Sequence, residues 1–459
     1  MSELVLYTSN ISKEEQAKRE FPTIAAQKPS FNEEKIKNAI DRNSLKHPLE
    51  YPLTISQEKF RSLPEEKKAI RVVSDSVVAV RDEDGRWLVL NRNEDKNNLK
   101  EAEEIAKRTG IIYFIGAVTF GVDHQPYSVL SYCKINLRPE VDLSFPFNIN
   151  SIPQMVDSQK GFEVGYFDHN FEERPICDTF NFDSPDKSQG RRARPFISGL
   201  TREVLEMAEL LGNFEIKVIE RLKDLISSHP FNTLSFYALT HGFNEDQLRS
   251  FYSSLFDDPD YFEKYGGNCS LFSYRLGKKL EELGYQVSVV IFPSKNPDKE
   301  DGHSGVLVRL TEKLTILLDP GLSIPSLLPL SEFPLHYFVD YGNSKNAKLR
   351  FDEEGNLILV ISSPKKGEVE FPSKRVISLE EFKNQAPEIL LDLHKKRKRV
   401  KIDFHDENGR QIIRIILNLD EGTLIINDQS FDDPDAVKEF LDETTLPRHL
   451  IENIISLLI

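Results

Sequence analysis

The chain has 459 residues, more than one hydrophobic core usually supports, so at least two domains are expected. Its 59 basic and 74 acidic side chains give a net charge of −15, which argues against general nucleic-acid binding because a phosphate backbone would be repelled. Three cysteines are too few for a disulfide framework, and the lack of a long apolar run or a secretory signal predicts a cytoplasmic protein with no membrane association.

The first predicted strand runs directly into small polar residues at a helix start. The segment ELVLYTSNISKEE contains Thr8, Asn10 and Lys13 in that setting. Backbone N–H groups at a helix N-terminus, together with one lysine, can hold a phosphate. An ordinary helix N-cap beside an exposed lysine has the same pattern, so both interpretations stay open at this point.

Three later segments of the first half extend this pattern. A strand is predicted at VSDSVVAV around Asp75, and EDKNNLKEAEEIAKRTGIIYFIGAVTF predicts a helix followed by a buried strand. The basic segment DKSQGRRAR contains Arg191. With these motifs, residues 1–212 resemble the nucleoside triphosphate pyrophosphatases of the Maf and HAM1 type.

That resemblance implies an α/β domain with a nucleotide site. Thr8, Asn10, Lys13 and Arg191 would contact the phosphates of a nucleoside triphosphate, and Asp75 would bind Mg²⁺. Water would then attack the alpha phosphorus.

A long helical pattern links the two halves. GLTREVLEMAELLGNFEIKVIERLKDLI is predicted as two helices that separate at Gly212 and Asn213. The predicted domains are therefore residues 1–212 and 213–459.

Cys269 begins a predicted helix in the second half. In YGGNCSLFSYRLG it follows Gly266 and Gly267, and leucines then recur at helical spacing. The partial positive charge of a helix N-terminus favours a thiolate, and the two glycines let a substrate approach the backbone closely.

Two predicted strands provide partners for this thiol. His303 begins one strand, and Asp319 ends the next in TILLD. A thiol is a useful nucleophile as thiolate, which calls for an imidazole to take its proton and a carboxylate to hold the imidazole tautomer. Antiparallel neighbours can bring these two groups together. Each residue alone has an ordinary structural explanation, such as a buried cysteine, but the combination predicts a Cys-His-Asp triad.

On these residues, the segment 214–459 resembles the arylamine N-acetyltransferases. The resemblance rests on the Gly-Gly-x-Cys helix start, the strand headed by histidine, and the strand end Asp319 followed by Gly321. It implies a helical subdomain, a β-barrel and an α/β lid of the cysteine-protease-like type. It also implies ping-pong transfer from acetyl-CoA or another acyl-CoA to a small-molecule amine, with Gly266, Gly267 and Gly321 at the cofactor.

The sequence as a whole predicts a two-domain protein of mixed α/β and α+β class. Its predicted function is acyl-CoA-dependent N-acyl transfer, joined to a possible Mg²⁺-dependent pyrophosphatase-like domain. Two alternatives stay open: a thiol amidase or peptidase that uses the same triad, and a non-catalytic binding protein with relic domains. The oligomeric state, the acceptor amine and the acyl donor are not determined by the sequence.

Overall fold

The structure is a computed structural model of the whole chain. The residues that it describes are 2–64, 69–90, 94–122, 126–139, 152–157, 159–180, 187–232, 242–292, 303–320, 324–331, 333–337, 339–340, 346–352, 354, 356–363, 367–373, 375–396, 399–406, 411–418, 423–427, 429–431 and 439.

The chain forms two compact units. The first unit consists of Met1–Ile216 and Phe333–Phe338, and the second unit consists of Lys217–Glu332 and Val339–Ile459. A short segment from the second half of the sequence therefore belongs to the first unit.

The described helices are α1 (Ile11–Glu20), α2 (Glu33–Ala39), α3 (Glu50–Arg61), α4 (Lys96–Thr109), α5 (Ile152–Met155), α6 (Lys187–Ser198), α7 (Arg202–Ser228), α8 (Glu245–Leu255), α9 (Pro259–Tyr265), α10 (Cys269–Glu282) and α11 (Leu379–Lys396). Among them, none is both long and apolar enough to cross a membrane.

The described strands of the first unit are β1 (Glu3–Tyr7), β2 (Ala25–Gln27), β3 (Ala69–Arg81), β4 (Trp87–Leu90), β5 (Ile111–Gly121), β6 (Tyr127–Asn136), β7 (Phe162–Phe167), β8 (Glu173–Phe180) and β14 (His336–Tyr337). Those of the second unit are β9 (Phe231–Asn232), β10 (Gln286–Phe292), β11 (His303–Thr311), β12 (Leu314–Asp319), β13 (Ile324–Ser331), β15 (Val339–Asp340), β16 (Asn346–Phe351), β17 (Leu357–Ser363), β18 (Gly367–Pro372), β19 (Arg375–Ser378), β20 (Arg399–His405), β21 (Gln411–Asn418), β22 (Thr423–Ile426) and β23 (Gln429–Phe431).

One mixed sheet organises the first unit. Its strand order is β2-β1-β3-β5-β6-β7-β8, with β4 on β3 and β14 on β6. β1 is parallel to β2 and β3, and the other pairs are antiparallel. Apolar residues of β3 and β5 point to both faces of the sheet and form a buried core cluster on each. One cluster includes residues of α3, and the other includes residues of α4 and α6. Helices thus cover both faces of a sheet whose strands are mostly antiparallel.

α7 is continuous through Gly212 and Asn213, so the predicted helix break is wrong. A Cβ atom on Gly212 would lie 2.5 Å from Cγ1 of Ile70. The glycine therefore allows the helix to pack closely against β3, a reason that the local sequence cannot distinguish from helix termination. The predicted boundary between the domains falls inside this helix.

Three antiparallel sheets form the second unit. Their orders are β13-β12-β11-β10-β19, β15-β16-β17-β18 and β23-β22-β21-β20-β9. Each order is open among the described strands, and α10 packs on β10 and β11 of the first of these sheets. The mixed class predicted from the sequence is confirmed, while the division into helical subdomain, barrel and lid stays a prediction.

Candidate active site

Asn268 and Gly266 shape the chain where α10 begins. Gly266 ends α9 with φ of 67°, a left-handed conformation that favours glycine. The Asn268 side chain then caps α10, since its Oδ1 accepts a hydrogen bond from Leu271 N at 3.2 Å. Cys269 is consequently the first residue of the helix, where the backbone dipoles favour negative charge.

Pro230 and Asn232 form hydrogen bonds with the backbone around Gly266 and Gly267. Gly267 N donates to Pro230 O at 3.2 Å, while Asn232 N donates to Gly267 O and Asn232 Nδ2 to Tyr265 O, both at 2.7 Å. A Cβ atom on Gly266 would lie 2.0 Å from Pro230 O. These contacts fix the loop that carries Cys269, and they leave no room for a larger residue at position 266.

The predicted histidine and aspartate lie together on neighbouring strands. β11 and β12 pair antiparallel, with Val306 opposite Leu318, and the register of β12 against β13 shifts between Leu318 and Asp319. His303 Nε2 donates a hydrogen bond to Asp319 Oδ2 at 2.6 Å. The aspartate is fully buried, and the histidine side chain is 15% exposed. The pair is therefore largely shielded from water.

Cys269 completes the arrangement, since it is buried and hydrogen-bonded to His303 and to Ser304. Burial by itself would raise the pKa of the Cys269 thiol, but the bonds from His303 and Ser304 lower it below its ordinary value. Burial would likewise lower the pKa of His303, but the Asp319 carboxylate, followed by the sulfur, raises it to about 10. Both shifts act in the direction of a thiolate beside an imidazolium.

Phe292 covers one side of this histidine. The two residues face each other in the β10–β11 pair, and their rings stack with centroids 6.3 Å apart and planes 22° apart. Phe292 is fully buried, so it excludes water from that side of the imidazole. Gly321, predicted to lie near the cofactor, falls outside the described residues.

In the first unit, Thr8 and Asn10 act as caps of α1. Asn10 N donates to Thr8 Oγ1 at 3.1 Å, and Lys13 N donates to Asn10 Oδ1 at 3.3 Å. Lys13 Nζ reaches β3, where it donates to the carbonyl and the hydroxyl of Ser74 at 3.1 Å each. The N-cap interpretation therefore describes the first two residues, while the lysine extends toward Asp75.

Asp75 belongs to a group of charged side chains that we name the lysine cluster, made of Lys13, Glu33, Lys37, Lys59 and Asp75. Asp75 Oδ1 lies 2.7 Å from Lys59 Nζ and 3.5 Å from Lys37 Nζ, and Glu33 contacts both of these lysines. Burial lowers the pKa of Lys13 to about 8. Burial would raise the pKa of Glu33, but Lys59 and Lys37 lower it to about 2.

The lysine cluster does not fit Mg²⁺. One Asp75 oxygen bonds Lys59, and the other is buried without a hydrogen-bond partner among the described residues. Mg²⁺ prefers carboxylate and water oxygens, whereas here ammonium groups surround the carboxylate. In the described part of the chain no group of three or more histidine, cysteine or acidic side chains is placed to hold a metal. Arg191 lies in α6, and its side chain is outside the described residues.

Sequence reasoning missed several of these residues. Lys59 is 3% exposed in α3, next to apolar residues such as Phe60, and a charge at a position of this kind is the signal that could reveal it. Ser304 and Pro230 carry no comparable signal, because their importance depends on which elements meet.

No family model and no curated protein sequence matches the chain. Among solved structures, it is similar to the arylamine N-acetyltransferase of M. tuberculosis (17% identity, TM-score 0.36, 51% of this chain and 86% of that one). It is also similar to an arylamine N-acetyltransferase of Bacillus cereus that has a Cys-His-Glu triad (16% identity, TM-score 0.34, 50% and 88%). A HAM1 protein from Coxiella burnetii aligns at 10% identity and TM-score 0.26, with 46% of this chain and 100% of that one covered. These are the two families that the sequence resembles, and similarities this low assign no function.

Proposed function

We propose that this protein is a cysteine-dependent acyltransferase. The observation that carries the proposal is the pair of buried hydrogen bonds that joins Asp319 to His303 and His303 to Cys269, the first residue of α10. A nucleophile, a base and a group that orients the base are the parts that acyl transfer through a covalent intermediate requires.

In the first half-reaction, the Cys269 thiolate attacks the carbonyl carbon of a thioester donor. A new C–S bond to Cys269 forms, and the bond to the donor sulfur breaks with its electron pair. Because Asp319 occupies Nε2 of His303, Nδ1 is the nitrogen that faces the sulfur atoms and protonates the departing thiol. The products are an acyl-cysteine and a free donor thiol.

In the second half-reaction, an acceptor amine attacks the acyl carbon. His303 removes a proton from the amine nitrogen, and the C–S bond breaks with its electron pair returning to Cys269. In both half-reactions, we assign the stabilisation of the negative charge on the carbonyl oxygen to backbone N–H groups at the start of α10 other than that of Leu271, which donates to Asn268 Oδ1.

A thioester such as acetyl-CoA suits this site as the donor, because transfer of the acyl group from one sulfur to another breaks and forms the same kind of bond. Gly266 and Gly267 directly precede Cys269 and would lie beside the donor through their backbone, since Pro230 and Leu271 fill the space that their side chains would take. An amine is the acceptor that distinguishes transfer from hydrolysis.

Incubation with acetyl-CoA followed by intact-mass measurement tests the proposal. We expect one acetyl group on the protein, no acetyl group on Cys269→Ala, and loss of the adduct when an amine is added. Cys133→Ala is the matched control, because Cys133 is fully buried in the first unit and its pKa is raised by burial.

Failure of the wild-type protein to acquire the acetyl group would overturn the proposal for this donor. An adduct that disappears equally fast with and without amine would assign the site to a thiol hydrolase instead. Cys269→Ala that still carries the group would exclude this cysteine as the nucleophile.

A second function is favoured by the lysine cluster, where three ammonium groups face two carboxylates. We propose that the first unit binds a phosphorylated ligand such as a nucleoside triphosphate, whose charge would compensate the excess. Calorimetric titration of inosine, xanthosine and modified pyrimidine triphosphates, with and without Mg²⁺, tests this. We expect Lys13→Gln to weaken binding and Lys18→Gln, an exposed lysine of the same helix, to leave it unchanged. Equal binding by both variants would contradict the proposal.

A further inference from the structure

Two buried serines join the helix that carries Cys269 to the strand that carries His303. Ser273 lies one turn after Cys269 in α10 and is fully buried, and Ser304 follows His303 in β11 and is 3% exposed. Ser273 Oγ donates to Ser304 O at 3.0 Å, and Ser304 Oγ donates to Ser273 Oγ at 3.3 Å.

The backbone groups of Ser304 can contact α10 because the pairing of β11 with β12 does not extend to this residue. The described pairing of β11 with β12 begins at Val306, so Ser304 lies beyond that ladder. Its carbonyl accepts the Ser273 hydroxyl, and both its backbone N–H and its side chain form hydrogen bonds with Cys269. Ser304 therefore offers the sulfur a backbone N–H and a hydroxyl, and the single proton of that hydroxyl can be given either to the sulfur or to Ser273 Oγ.

We propose that the Ser304 hydroxyl is a switchable donor to the reacting sulfur. It donates to Cys269 Sγ when the sulfur is a thiolate and turns to Ser273 Oγ when the sulfur is acylated. This inference rests on the proposed acyl transfer and adds a specific leaving-group role within it.

The physical reason lies in the two states of the sulfur. A thiolate is a charged acceptor that strengthens a hydrogen bond, whereas a thioester sulfur is a weak acceptor. Ser273 Oγ, within 3.3 Å, gives the Ser304 hydroxyl a partner in the acylated state, so this buried group is hydrogen-bonded throughout the cycle. When the amine expels Cys269, the C–S electron pair arrives at Sγ, and the returning hydroxyl stabilises it.

The direct test measures thiolate formation without any acyl donor. Alkylation of Cys269 by iodoacetamide is followed across pH on the peptide that contains this cysteine, by mass spectrometry. We expect Ser304→Ala to move the alkylation midpoint upward by about one pH unit, because a hydrogen bond to a charged group is lost. Breakdown of the acetyl-enzyme by amine should slow about threefold, since a thiol of higher pKa is a poorer leaving group.

Two further variants separate direct donation from a structural role. Ser304→Thr retains the hydroxyl and should keep the wild-type alkylation midpoint. Ser304→Val has nearly the shape of the threonine variant but no hydroxyl, so its midpoint should rise as in Ser304→Ala. Ser273→Ala removes the link between helix and strand but leaves the hydroxyl on the sulfur, so its midpoint should not rise.

Equal upward shifts for Ser273→Ala and Ser304→Ala would overturn the proposal in favour of simple bracing. An unchanged midpoint in Ser304→Val would overturn it as well. Alkylation needs only the thiol of Cys269 and no acyl donor. If acetyl-CoA fails to acylate the protein, the proposed function is refuted, but the alkylation midpoints still test whether Ser304 donates to the sulfur. Thermal unfolding of every variant establishes that the compared proteins are folded.

Discussion

Each unit buries an aspartate against a cationic side chain, and the two pairs have different consequences. Asp319 in the second unit and Asp75 in the first are 0% and 2% exposed. Asp319 accepts from one nitrogen of His303, whose ring reaches Cys269 from its other side. Asp75 forms an ion pair with Lys59, and Lys59 forms a second ion pair with the carboxylate of Glu33.

The difference lies in the cation. An imidazole has two nitrogens and can transfer a proton between its neighbours, whereas an ammonium group only balances charge. In the proposed mechanism, Asp319 therefore acts on a nucleophile, because its partner His303 also contacts Cys269. Among the described residues, Asp75 has no such connection, because its partner Lys59 contacts a second carboxylate, that of Glu33.

The largest effect that tests this contrast is expected for Asp319→Asn. The amide has nearly the same shape but no charge, so it ceases to favour the imidazolium and holds the wrong tautomer. We expect acetyl-enzyme formation to slow about 10²- to 10⁴-fold, measured by quenched-flow mass spectrometry. A rate within a few-fold of wild type would show that the two aspartates are not distinct in this way.

Asp75→Asn should lower the stability of the first unit without changing the rate of acetyl-enzyme formation. Removing one partner of a buried pair leaves Lys59 uncompensated and should cost about 3–5 kcal/mol of unfolding free energy. Trp87, the single tryptophan of the sequence, is buried in the first unit and reports its unfolding by fluorescence in urea. Acetyl-enzyme formation should be unchanged.

The double variant Asp75→Asn with Lys59→Met provides the control. Because it removes both charges, it should recover much of the stability that the single variant loses. If the single variant unfolds at the wild-type urea concentration, Asp75 is not the counter-ion that the geometry indicates.

The sequence predicted the positions of Cys269, His303 and Asp319 in the second unit because local signals coincide there. α10 begins at Cys269, His303 begins β11 and Asp319 ends β12, each at the position that apolar periodicity and glycine placement indicated. Antiparallel pairing of adjacent strands then requires only a short connection. These properties depend on neighbours in sequence, so they could be read without a structure.

The parts that could not be predicted depend on distant contacts. Lys59 reaches Asp75 only because α3 packs on β3, and Ser304 reaches Cys269 only because α10 crosses the end of β11. Gly212 was interpreted as a helix break because a local pattern does not contain Ile70. Packing against a partner far along the chain decided each case.

Gly266→Ala tests whether the loop before Cys269 is held as rigidly as its contacts imply. The new Cβ would lie 2.0 Å from Pro230 O in a conformation with φ of 67°. We expect a loss of about 3 kcal/mol, measured by urea unfolding with circular dichroism, together with slower alkylation of Cys269.

Gly284→Ala is the matched control for this prediction. Its φ is +85°, and nothing lies within 4 Å of the added Cβ, so only the backbone penalty of about 1 kcal/mol should remain. Equal losses in the two variants would show that backbone conformation, and not the contact with Pro230, restricts position 266.

His336 offers a third kind of buried ionisable group. It lies on β14, and its Nε2–H donates to Phe167 O at 3.3 Å while its ring stacks on Phe171. Burial, followed by the charge of His169, lowers the pKa of His336 to about 4, although Asp168 and the Phe167 carbonyl act in the opposite direction. In contrast to His303, it is therefore neutral in the folded protein at neutral pH.

The last expected effect is a pH dependence of folding stability that follows from this lowered pKa. Between pH 6.5 and about 4, the unfolded chain binds a proton at His336 that the folded chain does not, so folding stability falls as the pH falls through this range. This contribution to stability is fully present above pH 6.5, and we expect a loss of about 3 kcal/mol by pH 4. Urea unfolding followed by Trp87 fluorescence at several pH values measures it. His336→Gln should flatten this part of the profile, whereas an unchanged slope would place the acid sensitivity of the first unit in other groups, the lysine cluster among them.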